Sequence, residues 1–301
     1  MWFSAALAVA MAAAPPPIVN GTPTDDYPEV VLLRHTTADG SVAFVCTGTL
    51  VTPAAVLTAA HCLDEVEGYD LTQVRVFSGS VWTATAPERQ ASRWEMHPDY
   101  SVSDDGLQIE ADLGLVWLDD PYTLDGYPIN ADPITADDVG TAFRYVGWGS
   151  SSDIANDQGY AKRVVDIPLV DLEGEFILAN DGDNGGATCG GDSGGPAFEL
   201  DEGRAVAIAA VHSFGRDDDA TICAGSTSGD TRADLYLDWI VEATGAATDA
   251  AVAEEAGPSG DGGGKRDDAE PDDTATCGLP GGGRGAGLML LAALTGLRRR
   301  R

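Results

Sequence analysis

Punctuation limits what this chain can fold into more than any other feature. Its apolar runs are short and are separated by Gly, Pro, Asp or Ser. Examples are Val30-Val31-Leu32-Leu33, Ala55-Val56-Leu57, Val74-Arg75-Val76-Phe77, Leu113-Gly114-Leu115-Val116-Trp117-Leu118, Phe143-Arg144-Tyr145-Val146 and Val206-Ala207-Ile208-Ala209-Ala210-Val211. Such runs are too short for amphipathic helices of ordinary length but match strands, and many short strands with turn signals between them imply an all-β barrel or sandwich. One stretch departs from this pattern. From Ala233 to Ala243, the residues Leu235, Tyr236, Trp239, Ile240 and Ala243 recur at a spacing suited to one face of a helix. No clear internal repeat is present.

The residue types that carry chemistry stand in three segments. In Gly191-Asp192-Ser193-Gly194-Gly195-Pro196 a serine is fenced by glycines. Glycine adds backbone entropy and no packing, so the run suits a tight turn where N–H groups approach a ligand. Thr58-Ala59-Ala60-His61-Cys62 supplies a histidine beside a cysteine, and Ala111-Asp112-Leu113-Gly114 sets an aspartate before an apolar run. A serine hydroxyl is a weak nucleophile near neutral pH and needs a base within hydrogen-bond reach, which an imidazole can be. The imidazole in turn needs a fixed tautomer and a counter-charge, which a carboxylate provides. Taken singly, a histidine beside a cysteine is usually structural, an aspartate before a strand is usually a turn residue, and a Gly-Ser-Gly run is usually a loop. Their joint occurrence reverses that.

In the order His, Asp, Ser, these segments resemble the chymotrypsin-like (trypsin-like) serine peptidases over roughly residues 18–244. Weaker points of likeness are His97-Pro98-Asp99-Tyr100, Gly147-Trp148-Gly149 and Ser213-Phe214-Gly215. The resemblance implies two six-stranded antiparallel β-barrels and a C-terminal helix, with His61 and Asp112 on the first barrel and Ser193 on the second. It implies a serine endopeptidase with the catalytic set His61, Asp112 and Ser193, and an oxyanion hole from the N–H groups of Gly191 and Ser193. Its substrate is a polypeptide, and neither a metal nor a cofactor is expected. It implies Cys46–Cys62 and Cys189–Cys223 disulfides, although four cysteines by themselves allow three pairings. Ile18-Val19-Asn20-Gly21 resembles the mature N-terminus of the family, whose freed amine would pair with Asp192. Pro15-Pro16-Pro17 departs from the Arg or Lys that usually precedes that Ile. Ala187 matches the floor of the substrate pocket, with Ser213, Phe214 and Gly215 along its wall. A floor that is not aspartate removes the direct signal for Lys or Arg and favours an apolar or medium-sized side chain. The acidic run Asp217-Asp218-Asp219 after Arg216 reads as a solvated loop. Asp181-Gly182-Asp183-Asn184-Gly185 lacks the closing glutamate of a calcium loop. A reading of a different class is a catalytically silent, protease-like binding or adhesion module on the cell surface.

Charge narrows the partners. With 49 acidic and 17 basic side chains, the formal net charge is −32, which argues against nucleic acid and for a self-repelling, monomeric surface. Disulfides would require an oxidising compartment. Residues 1–14 are apolar, rich in alanine and end in small-x-small triplets, as in a secretory signal peptide, though no Lys or Arg precedes the apolar run. Residues 15–17 would form a short pro-segment, and 18–244 the peptidase domain. Residues 245–276, rich in Ala, Asp, Glu and Gly, read as a disordered acidic linker. Cys277, the apolar run Leu288–Leu294 and Arg298–Arg301 resemble the C-terminal sorting tails of myxobacterial surface proteins. That resemblance implies a membrane partner through the tail and a protein secreted or anchored at the bacterial cell surface, on the outer membrane.

Overall fold

The computed structural model describes residues 18–37, 41–64, 71–103, 108–150, 161–182, 185–216, 223 and 225–249. The expected leader and pro-segment, the Asp217–Ile222 run and the tail with Cys277 lie outside the described residues. Among the described residues, no helix is long and apolar enough to cross a membrane.

The strands in chain order are β1 (Thr22–Pro23), β2 (Val30–Thr37), β3 (Val42–Thr52), β4 (Ala55–Thr58), β5 (Leu71–Phe77), β6 (Arg89–Met96), β7 (Ser101–Val102), β8 (Ile109–Glu110) and β9 (Gly114–Leu118). They are followed by β10 (Ala142–Gly147), β11 (Arg163–Glu173), β12 (Phe176–Ala179), β13 (Pro196–Asp201), β14 (Arg204–Arg216) and β15 (Thr227–Arg232). β2, β3, β4, β9, β6 and β5 close into an antiparallel barrel. A second ring runs β11, β10, β13, β14, β15, β12, and β12 returns to β11. β11 can close it because it is long and bends. Its first half pairs with β10, and after a register shift between Leu169 and Asp171 its second half pairs with β12. Closure removes the exposed edges that an open sheet would leave. The all-β fold of two barrels is therefore as expected.

Two-sided burial explains why the strands read as continuous apolar runs. Val30, Val31, Leu32 and Leu33 on β2 are all fully buried, although neighbouring side chains point to opposite faces. Full burial of one such side chain contributes about 1.5–3 kcal/mol. The C-terminal element differs from the sequence expectation at its start. Asp234–Tyr236 forms a 3-10 turn, and the α-helix α1 covers Leu237–Thr244, ending at Gly245 in the left-handed conformation (φ 70°). The tighter 3-10 winding rotates Leu235 off the packed face, leaving it 52% exposed, while Ile240 is buried. The chain also stays docked beyond residue 244. The Ile129 N–H donates to the carbonyl of Ala247 (2.9 Å), and the Ala131 N–H donates to the Asp249 carboxylate (2.9 Å). Backbone pairing therefore extends the folded unit to Asp249, where composition alone suggested a linker.

Candidate active site

The three sequence segments converge. His61 lies on the 3-10 turn Ala60–Cys62 that follows β4, and Asp112 lies two residues before the start of β9. Ser193 sits in the turn before β13. Nδ1 of His61 is 2.7 Å from Oδ2 of Asp112, and the His61 backbone N–H donates to Oδ1 at 2.8 Å. One carboxylate thus fixes both the ring and the main chain of the histidine. Asp112 is fully buried, whereas the His61 side chain is 32% exposed. Burial alone would raise the Asp112 carboxyl. The hydrogen bond and charge of His61, the Ser213 hydroxyl and the His61 N–H outweigh it and hold the group below the ordinary carboxylate range.

The second barrel holds Asp112 from two sides. Ser213 on β14 donates its hydroxyl to Oδ2 at 2.5 Å. Glu175, in the β11–β12 turn, accepts from the N–H of Ala111 (2.5 Å) and from the hydroxyl of Tyr236 (2.6 Å). Ala111 has a φ of 47°, a costly conformation for a residue with a side chain, and the Glu175 contact helps to hold it. Ser213, which the resemblance sets on the pocket wall, turns its hydroxyl to Asp112 and orients it.

The turn carrying Ser193 is locked to the first barrel by Thr47, a residue without a sequence signal. The Thr47 N–H donates to the Ser193 carbonyl (2.8 Å), and its hydroxyl donates to the Gly191 carbonyl (2.9 Å) while accepting from the Trp148 N–H (3.1 Å). Cys62 Sγ lies 3.6 Å from the Ser193 carbonyl oxygen and 3.8 Å from His61 Nε2. Among the described residues no hydrogen bond runs from Ser193 Oγ to His61 Nε2. Such bonds are commonly long until substrate is seated. Gly191 needs to be glycine: its φ is 100°, and an added Cβ would come within 2.9 Å of Gly149 Cα. The carbonyl of Gly190 accepts from the Ser150 N–H (2.8 Å), so the Gly191 N–H of that trans peptide points the opposite way. Among the described residues, neither the Gly191 nor the Ser193 N–H has an acceptor, which leaves two donors for a ligand oxygen beside Ser193.

Asp192 is buried, and its carboxylate accepts from the N–H groups of Gly149 (2.8 Å) and Cys189 (2.9 Å). Burial pushes this carboxyl up to about 6. The two N–H groups and the charge of His212 offset part of the penalty. Ile18 is fully buried with a φ of 39°, and Val19 and Ala187 exchange both backbone hydrogen bonds (2.9 and 3.2 Å). The Ile18-Val19 segment therefore lies against the loop leading to Asp192. Ala187 is buried, and among the described residues only Ser226 Oγ, at 3.9 Å, comes near the position a Cβ on Gly215 would take. The Phe214 ring packs edge-on against Phe176 at 5.1 Å. Disulfides join Cys46 to Cys62 beside the histidine turn and Cys189 to Cys223 beside the serine turn, the pairing that the resemblance implied.

Known proteins place this arrangement. The family model for Trypsin matches residues 18–240. Brachyurin of Leptuca pugilator is 32% identical over 215 residues, 67% of this chain and 88% of its own length. Phenoloxidase-activating factor 3 of Holotrichia diomphalia is 30% identical over 259 residues, covering 74% of this chain and 71% of its own. Trypsin of Phaedon cochleariae is 29% identical over 202 residues, 61% of this chain and 72% of its own. The match runs from buried Ile18 through both barrels to Ile240 in the closing helix, and the chain belongs to the trypsin family.

Proposed function

We propose that the protein is a serine endopeptidase that cleaves peptide bonds through an acyl-enzyme on Ser193. The buried Asp112 carboxylate gripping His61, with Ser193 and two unpaired N–H groups alongside, carries this reading. With Nδ1 committed to Asp112, Nε2 is the nitrogen left to take the Ser193 proton as Oγ attacks the scissile carbonyl. The same proton then passes to the leaving amine. The carbonyl oxygen, charged in the tetrahedral intermediate, accepts from the N–H groups of Gly191 and Ser193. Water repeats the sequence on the ester and frees Ser193. An ester substrate should show a burst of product, stoichiometric with enzyme, followed by slower turnover. Turnover without any covalent acyl form in acid-quenched samples would overturn the acyl-enzyme step.

The two disulfides fit an oxidising compartment. We read residues 1–14 as a leader and 15–17 as a short pro-segment. The Ile18 amine, once free, is the partner of Asp192. Residues 18–249 form the peptidase unit, and Cys277–Arg301 form a tail that holds it at the cell surface. Deleting that tail should release active protein into the medium. A truncated protein that stays with the cells, or fails to fold, would refute anchoring by the tail.

A further inference from the structure

A second buried histidine–carboxylate pair adjoins the site, and the mechanism does not use it. His212 and Asp230 face each other across β14 and β15, with side-chain exposures of 5% and 0%. His212 Nδ1 is 2.8 Å from Asp230 Oδ1 and 2.9 Å from Ser228 Oγ, which itself donates to that Oδ1 at 2.6 Å. The other carboxylate oxygen accepts from the Tyr145 hydroxyl at 2.6 Å. Thr188, the neighbour of Ala187, reaches Ser228 with its hydroxyl at 3.4 Å. The His212 main chain is bonded to the nucleophile turn in both directions: Gly194 N–H to His212 O, and His212 N–H to Gly195 O, each at 2.8 Å. The cluster therefore lies behind Ser193, between Ala187-Thr188 and the strand that carries Ser213 and Gly215.

Its polarity follows from what is already committed. Both Asp230 oxygens are engaged and the residue is fully buried, so a substrate side chain cannot reach the carboxylate. Among the described residues, a cationic side chain would find Ala187 there and no accessible acid. His212 Nε2 has no partner among the described residues, although the side chain is 95% covered. An apolar side chain pressed against it would leave a buried polar atom unpaired, at a penalty. The proton on Nδ1 is fixed by Asp230 and Ser228, so when the ring is charged Nε2–H is a donor aimed away from them. A carboxylate there would bracket the imidazolium with two anions.

We propose, on the reading of the protein as a serine peptidase, that the pocket selects an acidic side chain, glutamate first, before the scissile bond, with His212 Nε2–H donating to its carboxylate. Asp230 and Ser228 are positioning residues that hold the ring. Beside His212 stand Asp230 and Ser228 from β15, with Thr188 reached through Ser228, Tyr145 through Asp230, and the charge of Asp192 acting from the nucleophile loop.

Peptide substrates that differ only in Glu, Gln, Asp, Lys or Leu before the cleaved bond test this. The full chain should favour Glu over Gln by about 10- to 100-fold in kcat/KM, the range of a charged hydrogen bond. The preference should appear mainly in KM, because the contact is made on binding. His212→Val should abolish the preference. If that variant does not fold, the wild-type profile decides by itself. Preference for Lys or Leu, or a Glu preference that survives His212→Val, would overturn the proposal while fluorophosphonate labelling of Ser193 left the peptidase reading standing. No hydrolysis together with no labelling would sink both.

Discussion

Ser193→Ala should reduce peptide hydrolysis to near background while leaving both barrels folded, because among the described residues its hydroxyl makes no hydrogen bond on which the fold depends. Asp112→Asn should lower kcat by about four orders of magnitude. The physical difference lies in the proton on His61. Oδ2 of Asp112 accepts from Nδ1 at 2.7 Å and from the Ser213 hydroxyl at 2.5 Å, so an amide NH2 placed there would face two donors. An NH2 at the Oδ2 position makes Nδ1 the acceptor and puts the proton on Nε2, where it blocks the base, whereas an NH2 at the Oδ1 position faces the His61 backbone N–H. Steady-state kinetics with circular dichroism as the folding control measure both effects. An Asp112→Asn enzyme within tenfold of wild type would remove Asp112 from the catalytic set.

Cleavage before Ile18 should raise activity by about 100- to 1,000-fold, the cost usually attached to losing one oxyanion donor. Asp192 sets this effect, because burial pushes its carboxyl up to about 6. An unfolded aspartate titrates near 3.9, so without a cation the folded form binds more protons between those values. Stability from this group is therefore full below about pH 4 and is lost as pH rises through about 6. An Ile18 ammonium beside Asp192 reverses the sign, because it keeps the carboxylate ionised and pins the turn that presents the Gly191 and Ser193 N–H groups. Protein beginning at Ile18 should then melt higher than protein retaining Pro15–Pro17 at pH 7, with the gap narrowing at pH 5. Equal activity and equal Tm for the two forms at pH 7 would dismiss the pairing of Ile18 with Asp192.

What the sequence disclosed and what it hid divide along the range of the interaction. Strand runs such as Val30–Leu33 and the turn around Ser193 are local patterns, legible because burial and turn chemistry act on neighbouring residues. The His61 and Asp112 segments were legible through their order and their flanks. The residues that hold them were not. Ser213 reaches Asp112 across 101 positions, Thr47 reaches Gly191 across 144, and Glu175 reaches Ala111 across 64. Each joins one barrel to the other, and no periodicity within a strand records such a bond. His212 was hidden differently. It closes an apolar run on β14 and reads as a core residue until Asp230 is seen opposite it. Leu235 shows the converse error, where helical spacing was correct for α1 but not for the 3-10 turn before it.

The central claim is that Ser193 is a nucleophile activated by His61. A fluorophosphonate probe reacts covalently with a serine so activated, and peptide mapping by mass spectrometry locates the adduct. Wild-type protein beginning at Ile18 should carry one phosphonyl group on Ser193, with none on Ser193→Ala and greatly slowed labelling of His61→Ala. A folded wild-type protein that takes up no label, or an adduct mapped to another serine, would contradict the account.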